Sequence, residues 1–131
     1  MPIGVRLFLI IYLFSQMCDK HKHKGRFKVF KLIFFAETEF KDQVKNELFS
    51  LGLGKYNGYD SCCYETKGTG QFRPLVNSNP KKGYIDKLEV IEEYRIEMIC
   101  SDDLIEKAVA KLKEVHPYEV PAYDVIKLYN I

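Results

Sequence analysis

The 131-residue sequence predicts an α+β domain in which two strand–helix–strand units share one antiparallel sheet. Three observations carry that reading. Residues 84–100 place apolar side chains on one parity and charge on the other, the period of a strand with one packed face. Two windows, 38–51 and 104–115, carry apolar residues at helical spacing. Each of those helices falls between two strand-like runs, so the layout of the first half is repeated in the second.

In order, residues 27–36 are rich in Val, Phe and Ile and read as a strand buried largely on both faces. Thr38 is placed to cap the next helix, with Glu37 and Glu39 at its positive end. Phe40, Val44, Leu48 and Leu51 make its apolar stripe, and Gly52 is placed to end it. A second strand is expected over 59–66. The pair Gly68 and Gly70 should then make a bulge or turn, with residues 72–75 resuming the strand. No phosphate loop is implied, because no Gly-Lys-Ser/Thr follows and no helix begins there.

Residues 77–83 form a loop around Pro80. In the long strand that follows, Leu88, Val90, Tyr94, Ile96, Met98 and Cys100 share one parity, and only Glu92 breaks that face. Residues 87–100 would span roughly 45 Å, longer than one small sheet can cover, so the strand should overhang and need a partner. Ser101 is placed to cap the second helix, whose stripe is Leu104, Ile105, Ala108, Val109, Leu112 and Val115. Pro117 stops it, and residues 122–128 form the last strand. With right-handed crossovers, these elements give a ferredoxin-like βαββαβ sandwich: four antiparallel strands with both helices on one face.

At 47% hydrophobic and 29% charged, the composition suits a globular chain with one core. The net charge of +2 is unevenly divided. Residues 1–26 hold Arg6, Lys20, Lys22, Lys24 and Arg26 against Asp19, a net of +4 that leaves −2 for the rest. A mildly acidic body argues against nucleic-acid binding. Residues 7–14 are an unbroken apolar run, short of the ~20 residues that span a bilayer. Ser15-Gln16-Met17-Cys18 makes a poor cleavage site, so residues 1–26 read as a leader outside a domain of residues 27–131. Cys18, Cys62, Cys63 and Cys100 make no disulfide framework, which suits a reducing cytoplasmic setting.

Four motifs resemble a known family. They are Gly54-Lys55-Tyr56-Asn57-Gly58-Tyr59-Asp60-Ser61-Cys62-Cys63, Gly68-Thr69-Gly70-Gln71-Phe72-Arg73-Pro74, Glu92-Glu93-Tyr94-Arg95-Ile96-Glu97 and His116-Pro117-Tyr118-Glu119. In this order they resemble the insert domain of YqfO-type proteins, members of the Ngg-interacting-factor-three-like or dinuclear metal centre family. The resemblance runs over residues 28–128, and Val120 departs from it where a second glutamate is usual. Residues 116–121 also resemble the closing motif of the CutA divalent-cation tolerance proteins, which share the fold and are trimeric, and PII proteins are a more distant likeness. The resemblance implies a free-standing version of the insert that forms a homotrimer; a role as accessory partner to a separate YqfO-like core protein is a further option. That family's metal ligands sit in its core domain and have no counterpart here.

His116 and Glu119 are candidate ligands for a divalent metal ion, and Cys62 is a third, but zinc wants three or four ligands and the local segment offers two. The structural alternative has His116 bonding the last carbonyls of its helix and Glu119 pairing with a cation. Arg73 and Tyr118 are candidates for a ligand cleft; Arg73 equally suits a pair with Glu92 or Glu93. No catalytic triad can be assembled, since residues 27–131 hold one histidine and no serine in a nucleophile setting. The function expected is therefore a non-enzymatic binding or regulatory module, with CutA-like metal binding as the alternative.

Overall fold

A computed structural model describes residues 28–129. The elements are β1 (Val29–Ala36), α1 (Thr38–Leu51), β2 (Tyr64–Phe72), β3 (Glu89–Ser101), α2 (Ile105–Val115) and β4 (Tyr123–Leu128). They form one four-stranded sheet in the order β2-β3-β1-β4 with every neighbour antiparallel. This is the ferredoxin-like arrangement. The leader reading of residues 1–26 lies outside the described residues.

The parity of β1 and β3 decides which face is packed. Leu32, Phe34 and Ala36 of β1 meet Ile96, Met98 and Cys100 of β3 beneath Val44 and Leu48 of α1 and Ala108 and Leu112 of α2. All of these side chains are fully or almost fully withdrawn from water, and such burial is worth roughly 2 kcal/mol for each large residue. Gly52 ends α1 with φ at 117°, and its N–H reaches the Phe49 carbonyl at 3.0 Å. At the outer edge, Glu65 of β2 takes Lys41 at 2.5 Å and Lys45 at 3.1 Å, tying α1 to the sheet. Replacing Glu65 with glutamine is expected to cost about 1 kcal/mol or less, because the cluster is still open to solvent. A urea midpoint corresponding to a loss above about 2 kcal/mol would show the ammonium groups to be far more desolvated.

Four local expectations are corrected. The N-cap of α1 is Glu37, and Thr38 is its first helical residue. Ser101 is the last residue of β3, paired with Val29, and a turn over residues 102–104 separates it from the 11-residue α2. β2 begins at Tyr64 and passes straight through Gly68 and Gly70, which pair in register with Glu93 and Ile91. No bulge forms, and Gly70 serves a side chain: a Cβ there would overlap the Glu93 carboxylate, whereas a Cβ at Gly68 would meet open space. Finally, β3 begins at Glu89. Asp86, in the left-handed region at φ 62°, donates its N–H to the Pro74 carbonyl at 2.7 Å and turns residues 84–88 away from the sheet.

The overhang is there. β1 ends at Ala36, opposite Tyr94, so residues 89–93 of β3 pair only with residues 68–72 of β2. A two-stranded arm thus projects past β1. Among the described residues, no helix is long and apolar enough to cross a membrane.

Candidate functional site

Where β1 stops, the arm leaves a space that two loops enter. One is the corner from His116 to Ala122, between α2 and β4; the other follows β2, from Pro74 to Lys82. Between these loops and the face of the arm away from the helices lies a cleft of about 500 Å³. Phe35, Gly70, Phe72, Ile91 and Glu93 line its sheet side, and His116, Tyr118, Glu119, Val120 and Ala122 its corner side. Pro80, Lys81 and Lys82 complete the rim.

Among the described residues, only two polar or charged side chains are fully buried, Glu37 and His116. Tyr118 joins them. Its hydroxyl donates to Glu37 Oε1 at 2.7 Å, and its backbone N–H donates to His116 Nδ1 at 3.1 Å. An accepting Nδ1 leaves the ring's proton on Nε2, which donates to the Phe35 carbonyl at 2.7 Å. The two rings stand edge to face, 5.1 Å between centroids. Lys82 reaches Glu37 at 3.0 Å from the opposite loop, and Glu119 accepts the Asn79 N–H at 3.2 Å. These ties lock both loops onto the end of β1, so the cleft has fixed walls.

The protonation states follow. Burial lowers the His116 imidazole, against smaller upward pulls from the Phe35 bond and the Glu37 charge, so the ring is neutral near pH 7. Burial works to raise the Glu37 carboxyl, but the Tyr118 bond and the Lys82 ammonium together hold it below the usual range. The Tyr118 phenol is pushed far up, by burial and then by the bond it gives Glu37. Glu93 is raised by burial and by the Glu37 charge.

The structure therefore gathers three of the predicted site residues, His116, Tyr118 and Glu119, at one cleft. His116 bonds a carbonyl of β1 rather than its own helix, and Glu119 meets a backbone amide rather than a cation. Arg73 is exposed outside the cleft lining, and neither Glu92 nor Glu93 pairs with it: Glu92 takes Lys67 at 3.0 Å. Cys62 lies near the other end of the sheet. Its backbone N–H bonds Gly54, which in turn bonds Ile99, paired with Lys31 four residues along β1 from Phe35. Cys62 and Cys63 are in the loop before β2, not on a strand. Burial raises both thiols and pushes Cys100 up to about 11, which keeps all three protonated. Among the described residues, no three His, Cys, Asp or Glu side chains converge as a metal cage. Sequence reasoning missed Glu93 as a cleft residue and Glu37 as the buried acceptor of the Tyr118 hydroxyl. For Glu93, the diagonal glycine on the neighbouring strand, Gly70, was the available signal.

No protein-family model matches the chain. The "GTP cyclohydrolase 1 type 2 homolog" of Halalkalibacterium halodurans is 39% identical over 102 residues, 78% of this chain and 27% of that protein. A crystal structure of a Bacillus cereus protein related to NIF3 superposes with a TM-score of 0.71 at 27% identity, covering 94% of this chain and 32% of that one. The chain is a relative of one segment of the NIF3/YqfO proteins. It spans about a quarter of the length of the curated relatives it matches, as an insert-like domain would. The divalent ion tolerance protein CutA1 of Ehrlichia chaffeensis shares the fold, with a TM-score of 0.60 at 18% identity over 82% of this chain and 87% of its own. The sandwich is thus common to NIF3-related, CutA and PII-like proteins.

Proposed function

We propose that this domain is a non-enzymatic, oligomeric binding module that holds a small ligand in the cleft beside the β2–β3 arm. The observation that carries the reading is the Glu37–Tyr118–His116 network. Its buried polar groups bond one another and the backbone, leaving none poised as a nucleophile or base. What the network does is hold aromatic and apolar walls in place around an open volume of ligand size. Ala122 lines that volume from an exposed position, so Ala122→Trp should plug it without disturbing the core. Small molecules captured by the native chain and seen by saturation-transfer NMR should be lost in this variant. Binding unaffected by the plug would put the ligand elsewhere and end the reading.

We propose further that the module is a homotrimer. Val90 on the arm and Leu88 just before it are more than half exposed, and the β4 edge shows Val125 and Ile126. Apolar side chains on an unpaired arm and an open edge call for cover, and the CutA resemblance implies three copies. Light scattering should return three times the monomer mass at micromolar concentration; a monomer would refute it. Cys62, Cys63 and Cys100 are free thiols, in keeping with a cytoplasmic setting. As a second partner we propose a YqfO-like core protein, which co-purification would recover; a pull-down that recovers none would count against it. A CutA-like role in divalent metal binding through His116, Glu119 and Cys62 would require His116 to give up the Phe35 or the Tyr118 bond.

A further inference from the structure

Among the described residues in and beside the cleft, Glu93 is the one carboxylate with neither a hydrogen-bond donor nor an ion-pair partner. Glu37 is met by Lys82 and Tyr118, and Glu119 by the Asn79 amide. Arg95, next on the same face of β3, turns to Glu97 at 3.8 Å. Lys81 stands on the exposed rim without an ion pair, and His116 is neutral. Among the described residues, no hydrogen bond or ion pair reaches the Glu93 side chain, although its backbone pairs with Gly68. It is nonetheless half-buried, in the space that the missing side chain of Gly70 leaves open. Around it stand Phe35, Phe72 and Tyr118, with the rings of Phe72 and Tyr118 tilted at 6.4 Å.

A carboxylate drawn out of water without a partner is costly, and a cation brought to it removes that cost. Ring faces beside the carboxylate attract the same cation. From this geometry we infer that the cleft takes a small molecule carrying a protonated amine on an apolar or aromatic body, with Glu93 as its counter-ion. The inference rests on the cleft being a binding site, as proposed above. Burial and the Glu37 charge hold the Glu93 carboxyl above its usual range, so amine affinity should climb as pH rises through that range. The other groups facing the site agree with this direction: Glu37 and Glu119 favour a cation when ionised, and His116, if protonated in acid, would repel one. The Glu37 bond raises the Lys82 ammonium further, so its charge does not change over this range; Lys81 is the other cation on the rim.

Three probes that share a body and differ in charge test it: 2-phenylethylamine, 2-phenylethanol and phenylacetate, titrated by saturation-transfer NMR into the full chain at pH 7.5. The amine should bind about tenfold or more tighter than the alcohol. Glu93→Gln should erase that preference and its pH dependence while the oligomer mass stays unchanged. Gly70→Ala, which displaces the carboxylate without removing it, should weaken the amine alone and serves if Glu93→Gln fails to fold. An alcohol that matches the amine, or phenylacetate binding best, overturns the inference and leaves the cleft as a binding site. Failure of all three probes, or binding insensitive to Ala122→Trp, overturns both. An oligomer that dissociates in Glu93→Gln assigns Glu93 to a contact between copies and overturns the inference as well.

Discussion

Replacing Glu37 with alanine is expected to destabilise the domain by about 3 kcal/mol, far more than any surface carboxylate. The residue is only 7% exposed. Its carboxylate is the sole side-chain acceptor of the Tyr118 hydroxyl, itself partly buried, and the anchor for Lys82. Truncation leaves that hydroxyl unpaired and a void beneath it, and an orphaned buried donor alone costs about 1–3 kcal/mol. The backbone role of Glu37 survives, since its carbonyl still accepts the Phe40 and Lys41 amides at 3.0 Å and starts α1. The loss therefore belongs to the side chain. Glu37→Gln keeps the shape and an acceptor oxygen but forfeits the charge, and should cost about half as much. Lys82→Ala should cost far less than Glu37→Ala, because the Lys82 side chain is 44% exposed. Urea unfolding measures all three. A double-mutant cycle with Tyr118→Phe should return a coupling of at least about 1 kcal/mol; additive effects would mean that the bond does not hold the corner.

The network explains what could be read from residue order and what could not. Alternation along β3 marks Leu88, Val90, Tyr94, Ile96, Met98 and Cys100 as inward; the last four lie in or against the core, while Leu88 and Val90, beyond the end of β1, are more than half exposed. The two helical stripes do the same for Val44, Leu48, Ala108 and Leu112. Those signals are periodic and local, so one sequence carries them. Glu37 is different. Its position ahead of Thr38 makes it look like a charge complementing a helix end, while its decisive partner, Tyr118, lies 81 residues away. Nothing local encodes that meeting. It arises because β4 pairs with β1 and carries the corner before it to the place where β1 stops.

Glycine misleads in a related way. At Gly68 and Gly70 the residue type argues for a break, yet the pairing of β2 with β3 continues through both. What Gly70 supplies is room for the Glu93 side chain, a demand set by the opposite strand. Arg73 and Cys62 fail as cleft members for a parallel reason. Chemistry nominates a residue type, and only topology decides which loop faces which. His116, Tyr118 and Glu119 were legible because Pro117 holds all three within one bent segment.

His116 links that segment to acid stability. His116→Gln is expected to cost about 2–3 kcal/mol at pH 8, since glutamine cannot satisfy both the Phe35 carbonyl and the Tyr118 amide in the same geometry. The cost should shrink in acid. In the folded chain burial keeps the imidazole below its ordinary value of 6.5; in the unfolded chain it takes a proton near pH 6.5. The unfolded state thus binds more protons in that range, so the stabilisation is complete above pH 6.5 and declines as pH falls toward the folded value. Glu37 and Glu65, both held below the usual carboxylate range, lose their contributions lower down. Glu93, held above it, acts in the opposite sense and gains stability as it protonates. Subtracting the variant's pH profile from that of the native chain removes these carboxylate effects and isolates the histidine. The difference should be largest at pH 7–8 and fall steadily below pH 6.5. A difference that stays flat between pH 8 and 5 would mean that the ring is as easily protonated folded as unfolded, and that the two bonds drawn for it do not hold the corner.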